Sequence, residues 1–506
     1  MKLNNFSKIT SNILGSRVTG FLRDVLFANY LGANLLSDAF LFAYRLPNLF
    51  RRIFAEGAVN SVFIPMYVNQ EKENPKLSND FIWCIFIIFF FITAFLSILI
   101  SVFNHQVISI FAPGFLSNNS QYDLAIKILP ITFPFLIFVG LSSVLSSVLN
   151  IKGKFFLPSF LSVILNGLMI ISLLIYKTES FIPLAWSMII AGIIQVLLLF
   201  INLAFLKVFF KITLGSFLKL SSKLKIFFKR FLYSVLGSGI VQLNIFISMI
   251  FASLVGNGSI SHIYYADRII DLPFALIAVA MSITLLPFLS KNILDEKKNV
   301  NAFNQTLIFC YIFALPCSFG IFFLSEDIVQ VLFGRGEFLK SDILITSNIL
   351  IIYAFSLPAY MIARICNQVF FSYERVDLPV KASIPTFILN FIMCFVLYKP
   401  LGVIGLAISA SLSIWLNIFI QIIYLRVNFY SFYQNIKIIN LSKLSKIILA
   451  SFFMSCVLLI IENLTPLNIY IKLFSQILLG IFAFFLSLKL LKLEEYQLIY
   501  KTKKFN

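Results

Sequence analysis

Long apolar runs separated by short polar connections dominate the chain from one end to the other. A helix needs about 20 apolar residues to cross the hydrocarbon core of a bilayer, and runs of that length follow one another throughout. The pattern predicts an all-α polytopic membrane protein with about 14 transmembrane helices. We place these spans at residues 7–31, 37–69, 80–103, 122–150, 156–176, 181–206, 224–255, 259–290, 300–324, 343–372, 378–398, 401–426, 443–462 and 467–491.

The composition supports this fold class. Of the 506 residues, 60% are hydrophobic and only 12% are charged, whereas a soluble domain has about 45–50% apolar and about 25% charged residues. The net charge of +19 does not indicate nucleic acid, because Lys and Arg collect in the cytoplasmic loops of membrane proteins. The six cysteines and two histidines lack metal-site spacing, so we expect no bound metal.

Lysine and arginine are divided unequally between the two sets of connecting loops. One set is basic and includes the run 207–230, whereas connections of the other set, such as GANLL and GNGS, contain no Lys or Arg. The positive-inside rule therefore predicts that the basic loops and both termini face the cytoplasm. The run 207–230 is interpreted either as a solvated linker that sets the topology or as a site for lipid headgroups or a partner.

Part of the first half of the sequence recurs in the second half. The segment YLGANLLSDAFLFAYRLPNLF resembles LVGNGSISHIYYADRIIDLPF, which aligns Arg45 with Arg268, and a second pair of segments aligns Asn166 with Asn390. Parallel repeats of this kind line a central substrate site in membrane transporters. We predict two pseudo-symmetric six-helix lobes, residues 1–206 and 207–427, followed by two additional helices within 428–506.

The stretch from Gly15 to Tyr67 carries many charges for two adjacent membrane spans. They are Arg17, Arg23, Asp24, Asp38, Arg45, Arg51, Arg52 and Glu56, and Asp38, Arg45, Arg52 and Glu56 would share one face of a continuous helix. An ionisable group at bilayer depth costs at least about 2.5–3.5 kcal/mol on insertion scales, so such groups face a cavity or a partner. Arginine suits phosphate because its planar guanidinium bonds two oxygens. These residues therefore predict either an anion site or ion pairs that lock the spans together.

Several motifs resemble those of the MurJ (MviN) family of lipid II flippases. They are SRVTGFLRD, YLGANLLSDAF, RLPNLFRRIFAEGAVNSVFIPMY, APGF and YYADRIIDLP, and the resemblance covers essentially the whole chain. It implies the fold of the multidrug/oligosaccharidyl-lipid/polysaccharide (MOP) exporter superfamily. It also implies substrate contacts by Arg17, Arg23, Arg51, Arg52, Arg268 and Asn166, with charge partners at Asp38, Glu56 and Asp271. No required family residue matches Arg45, and no acidic ligands match the sodium site of some relatives.

The resemblance implies a transporter and not an enzyme. Its substrate would be lipid II, the undecaprenyl-diphosphate-linked disaccharide-pentapeptide, moved by alternating access from the cytoplasmic to the periplasmic leaflet of the bacterial inner membrane. Arg17, Arg23, Arg52 and Arg268 would form a cationic pocket for the diphosphate. We expect no cofactor, because the sequence contains no P-loop, and the membrane potential or an ion gradient would drive transport. The expected partners are lipid II, the bilayer and cell-wall synthesis proteins. The alternatives are a drug/cation antiporter of the same superfamily and a non-transporting cell-wall scaffold.

Overall fold

The computed structural model is helical throughout the residues that it describes, which are 3–52, 59–177, 181–206, 208, 214–256, 258–436, 440–464 and 468–493. The helices up to the middle of the chain are α1 (Leu3–Leu31), α2 (Leu35–Arg51), α3 (Asn60–Glu73), α4 (Pro75–Val102), α5 (Asn104–Phe111), α6 (Asn119–Thr132), α7 (Phe135–Ile151), α8 (Phe156–Tyr176), α9 (Ile182–Phe205) and α10 (Leu214–Val255). The later ones are α11 (Ser259–Phe274), α12 (Ala280–Lys291), α13 (Glu296–Phe333), α14 (Lys340–Ser372), α15 (Asp377–Asn428), α16 (Tyr430–Asn435), α17 (Leu441–Leu464) and α18 (Ile469–Leu490).

Every predicted span falls on a helical stretch, so the all-α polytopic fold class is confirmed. The predicted span 37–69 contains α2 and α3, and its residues 53–58 lie outside the described residues. The spans predicted at 122–150 and 259–290 each consist of two helices, and the second of these spans contains a π-helical segment, Ala275–Val279. Two predicted spans lie together in α15, where Gly402 with φ 55° bends the chain. Among the described residues, ten helical stretches are long and apolar enough to cross a membrane, which is consistent with about 14 spans.

The chain forms two compact units, Met1–Ser261 and His262–Asn506. A cluster of aromatic and aliphatic side chains forms a large part of the core of the first unit, including Phe63 of α3, Phe81 and Trp83 of α4 and Phe227 of α10. The division into lobes at residues 206 and 427 stays a prediction.

The first half of α10 coincides with most of the basic run 207–230. Its buried residues are Leu220, Leu224, Phe227 and Phe231, which recur every three or four positions and therefore share one face of the helix. From Leu214 onward the run is thus a packed amphipathic helix, and its interpretation as a solvated linker is wrong for this part.

In the second unit, α17 and α18 pack against α13. Buried residues of the three helices form one cluster, with Ile312, Met454 and Phe484 among its members. Lys472 of α18 bonds Asp327 of α13 at 2.9 Å and approaches Glu462 of α17 at 3.5 Å, and the lysine side chain is only 17% exposed. A largely buried cation that bridges two carboxylates orients all three helices.

We expect Lys472→Met to lower the thermal stability of the detergent-solubilised protein. The change leaves Asp327 without its lysine in a setting that is 17% exposed, which should cost about 1–2 kcal/mol, between the values for exposed and buried pairs. The measurement is the melting temperature of the purified full-length chain. Lys489→Met is the matched control, because Lys489 lies exposed in the last turn of the same helix. Equal melting temperatures for the two variants would contradict the bridging role.

Candidate functional site

Arg23 is the centre of a buried polar network in the first unit. Its side chain is almost fully buried and donates to Asp24 Oδ1 from Nε at 3.0 Å and from Nη2 at 2.7 Å. Nη1 donates to Tyr44 Oη at 2.6 Å and to Asn166 Oδ1 at 2.8 Å. The guanidinium also lies 5.2 Å from the Tyr44 ring centroid, within the range of a cation–π contact. The network therefore connects α1, α2 and α8.

Asn166 completes the connection between α8 and α1. Its amide nitrogen donates to Ser16 O at 3.2 Å and to Thr19 Oγ1 at 3.3 Å, while its carbonyl oxygen accepts from Arg23. Gly20 permits this approach, because a Cβ at that position would lie 3.3 Å from Asn166 Nδ2. A buried ion pair is stable only when further hydrogen bonds satisfy its members, and Tyr44 and Asn166 supply them here.

The other arginines of the predicted site lie in more open positions. Arg17 is half-buried and, among the described residues, has no hydrogen-bond or ion-pair partner. Arg51 is the last residue of α2 and is half-buried, whereas Arg52 follows it and is exposed. Both interact with other groups of the chain. Glu56, the predicted partner of Arg52, lies outside the described residues.

Asp38 caps the first turn of α11. Its fully buried Oδ1 accepts hydrogen bonds from Ser261 N at 2.8 Å and from Ser261 Oγ at 2.6 Å. A carboxylate suits a helix N-terminus because the free N–H groups and the helix dipole favour negative charge there. No arginine of the described chain forms an ion pair with Asp38. The charged stripe expected from Asp38 to Glu56 stays a prediction, because residues 53–58 lie outside the described residues.

Two loops meet closely beside this cap. Ser37 Oγ lies 2.9 Å from Ser261 Oγ, and Gly258 has φ +76° with no room for a side chain, because a Cβ would lie 2.3 Å from Ala33 O. Gly114 of the APGF motif is similarly tight, since a Cβ there would lie 1.8 Å from Ser253 O of α10. The α1–α2 loop therefore touches the α10–α11 loop, and the APGF turn touches the last turns of α10, backbone to backbone or nearly so.

The predicted residues of the second unit form a smaller group. Arg268 of α11 is partly exposed, lies 4.7 Å from the Tyr264 ring centroid and donates from Nη2 to Tyr264 Oη at 3.3 Å. Asp271, one turn later, approaches the guanidinium at 3.8 Å and is 59% exposed. Arg268 thus has a neighbouring acid, as predicted for Asp271. The pocket predicted from arginines of both units stays a prediction.

Sequence reasoning missed Tyr44, Ser261 and the role of Asp24 as the partner of Arg23. The signal for Asp24 was its position next to Arg23, and the signal for Ser261 was its place in the first turn after the GNGS loop. Nothing in the sequence pointed to Tyr44. In the described ranges no three His, Cys, Asp or Glu side chains are placed to hold a metal ion.

Comparisons with known proteins identify the family of this chain. The family model for lipid II flippase MurJ matches residues 27–479. A probable lipid II flippase MurJ of Buchnera aphidicola subsp. Schizaphis graminum is 36% identical over 419 residues, 80% of this chain and 79% of that protein. The corresponding protein of Buchnera aphidicola subsp. Acyrthosiphon pisum is 34% identical over 412 residues, 79% of each chain.

Solved structures give the same result. The structure of a lipid II flippase MurJ in an inward closed conformation has a TM-score of 0.84 and 26% identity, and the match covers 97% of this chain and 99% of that one. An inward-facing multidrug resistance MATE family transporter of the MOP superfamily has a TM-score of 0.60 at 15% identity over 83% of this chain and 96% of that one, which shows a shared fold. The chain, a multi-pass membrane protein with the MOP fold, belongs to the MurJ family of lipid II flippases, which are transporters and not enzymes.

Proposed function

We propose that this protein moves lipid II from the cytoplasmic to the periplasmic leaflet of the bacterial inner membrane. The family match over residues 27–479 carries the proposal, and the site supports it. Lipid II carries a diphosphate, and the first span presents a half-buried arginine, Arg17, less than two helical turns from the buried Arg23 network. Arginine at membrane depth without an acidic partner suits an anionic ligand.

Arg17 and Arg23 have different roles in this proposal. Arg23 already donates to Asp24, Tyr44 and Asn166, so it fixes the crossing of α1, α2 and α8 and reaches the diphosphate only by exchanging a partner. Arg17 has no such partner among the described residues and makes the first contact with the diphosphate. Arg51, Arg52 and Arg268 add positive charge, and Asp271 holds Arg268 when no substrate is bound.

Alternating access is the mechanism that the loop contacts support. The α1–α2 and α10–α11 loops belong to different sequence repeats and lie on the side that is predicted to be periplasmic. Asp38, Ser261 and Gly258 hold them together, so this side is closed when the contact is made. Release of the substrate then requires the contact to break, driven by the membrane potential or an ion gradient. Both termini lie in the cytoplasm, and cell-wall synthesis proteins use the lipid II that is delivered.

Complementation tests the function. A bacterium is depleted of its own lipid II flippase, the full-length chain is expressed, and lipid II exposed at the periplasmic face is measured. Growth with restored exposure supports the proposal. Failure of a chain that reaches the membrane in normal amounts would contradict it. Acid-dependent drug efflux in the same cells would then favour the drug/cation antiporter, and its absence would favour the scaffold.

We expect Arg17→Ala to reduce lipid II exposure at least about tenfold while the protein still accumulates in the membrane. Arg17 makes no hydrogen bond or ion pair with the described residues, so its loss removes an interaction with substrate worth about 1.4 kcal/mol or more. Arg335→Ala is the control, because the Arg335 guanidinium bonds only carbonyl oxygens of its own helix end among the described groups. Full transport by Arg17→Ala would contradict the role of Arg17.

A further inference from the structure

An apolar groove lies between α4 and α10 of the first unit. Its volume is about 400 Å³, and its lining consists of apolar side chains only, with Phe91 and Phe95 on α4 and Phe228 and Leu232 on α10. Phe91 and Phe95 are each 64% exposed and Leu232 is 59% exposed, so the groove opens outward. An open groove without polar groups suits a hydrocarbon chain.

Two lysines of α10, Lys225 and Lys229, lie before and beside the residues that line this groove. Lys229 lies one turn before Leu232 and Lys225 two turns before it. At 100° per residue both lie within about 60° of Leu232 around the helix axis. Both are exposed, α10 contains no acidic residue, and neither lysine has an acidic partner among the described residues.

On the opposite flank of α10, which carries Ser216 and Lys223, the polar side chains bond to acids of neighbouring helices. Lys223 bonds Glu73 and Gln70 of α3, and Ser216 donates to Asp80 Oδ2 of α4 at 2.6 Å. The other acid at this end of α3, Glu71, pairs with Lys152 at 2.7 Å, and this bond raises the pKa of Lys152. The described acids that bond α10, Glu73 and Asp80, are therefore already engaged. On the flank that carries Lys225 and Lys229, the positive charge has no counter-charge among the described residues.

The length of α10 places these lysines at the membrane surface. The helix has 42 residues and is thus about 63 Å long, whereas the hydrocarbon core is about 30 Å thick. Its last part is apolar and its basic residues are confined to the first half. The change from basic to apolar occurs between Arg230 and Leu232, so the apolar end of the groove faces acyl-chain depth and Lys225 lies toward the headgroups. Lys229 starts level with the groove, and its long side chain extends to the headgroups.

We propose that this groove and its two lysines bind one anionic diacyl phospholipid. An acyl chain lies in the groove, and the phosphate diester contacts Lys225 and Lys229. This site lies outside the predicted diphosphate pocket, and the proposal goes beyond the proposed function. It rests on the proposed function only for the orientation of the chain, which places the bound lipid in the cytoplasmic leaflet. A lipid bound there bridges α4 and the basic half of α10.

Quenching by brominated lipids tests the site. Phe95→Trp places an indole in the groove, and the full-length protein is reconstituted in phosphatidylcholine bilayers with increasing brominated phosphatidylglycerol or brominated phosphatidylcholine. The parent chain, with Trp83, Trp186 and Trp415, gives the background. We expect brominated phosphatidylglycerol to half-quench the new indole at a mole fraction in the bilayer at least about fivefold lower than brominated phosphatidylcholine requires.

The matched variants separate a site from general attraction to a basic surface. Lys225→Gln with Lys229→Gln should remove the preference for phosphatidylglycerol. Lys219→Gln with Arg230→Gln removes the same charge from the other side of the exposed face, about 120–140° from Lys225, and should retain the preference for phosphatidylglycerol. Preference retained by the first pair, or lost equally by both pairs, would overturn the proposal. Because no lipid II is present, the result is independent of transport activity.

Discussion

Arg23→Ala is expected to destabilise the first unit severely and to abolish transport. The change takes the ion-pair partner Arg23 from Asp24, which is only 2% exposed, and removes the hydrogen bonds that Arg23 donates to Tyr44 Oη and Asn166 Oδ1. Removing one member of a buried ion pair costs about 3–5 kcal/mol, because the other charge stays buried without compensation. The expected result is a large loss of protein from the membrane and a lower melting temperature of the remainder.

A double variant separates this structural role from a role in substrate binding. Arg23→Met with Asp24→Leu removes both charges, and replacing a buried pair with apolar side chains is often neutral for stability. We expect the double variant to recover most of the lost stability, with a residual cost for Tyr44 and Asn166, whose bonds to Arg23 are gone. Lipid II exposure is then measured at equal protein levels.

The two outcomes have different meanings for the pocket. If the stable double variant still fails to expose lipid II, Arg23 or Asp24 acts in transport as well as in folding. If it restores exposure, Arg23 is a structural residue and the diphosphate site rests on Arg17 and the remaining arginines. A single variant Arg23→Ala that is as stable as the parent would contradict the network described here.

The fold could be predicted from the sequence because apolar length and loop charge are local properties. Runs such as 156–176 and 182–205 were located almost to the residue, since a bilayer span needs one continuous apolar segment. The prediction was least accurate where a span is interrupted. Two helices make up each of the predicted spans 122–150 and 259–290, and the basic run continues as α10 because Leu220, Leu224 and Phe227 find a buried surface.

The site could be predicted only as a set of charged residues. The sequence indicates which groups are costly in a membrane, but the partner of each group depends on helix crossings that no local pattern encodes. Arg23 and Asn166 were both chosen, yet their direct contact depends on α1 crossing α8 beside Gly20. Asp38 was expected to pair with arginines. It caps α11 instead, because its buried carboxylate accepts a hydrogen bond from the free N–H of Ser261.

Asp38→Asn is expected to loosen the contact between the α1–α2 and α10–α11 loops and to reduce transport. Asparagine can still accept from Ser261, but it loses the negative charge that favours a helix N-terminus. Hydrogen bonds to an ionised acceptor are roughly twice as strong as neutral ones. We therefore expect a loss of about 1–2 kcal/mol, which corresponds to roughly a 5–30-fold smaller population of the closed form.

Thiol accessibility reports this population directly. Ala33 is 8% exposed beneath Gly258, so Ala33→Cys should be protected from a membrane-impermeant maleimide added to the periplasmic side. Adding Asp38→Asn should raise its labelling rate about tenfold, with the chain that lacks Ala33→Cys as the background for the native cysteines. Ser37→Ala removes only neutral contacts, with Ser261 and with the Asn34 backbone at the start of α2, and should have a smaller effect.

Alanine variants of Gly256 and Gly258 distinguish two effects on the contact between the loops, which are a steric clash and backbone strain. Gly256 and Gly258 have φ of +77° and +76°, but a Cβ meets Ala33 O at 2.3 Å only at Gly258 and meets nothing within 4 Å at Gly256. Both alanine variants pay the cost of a left-handed backbone, about 1–2 kcal/mol, whereas Gly258→Ala also pushes the loops apart. We expect strong labelling at position 33 and low lipid II exposure for Gly258→Ala alone. Equal defects in both would show that strain, and not closure of this contact, limits transport.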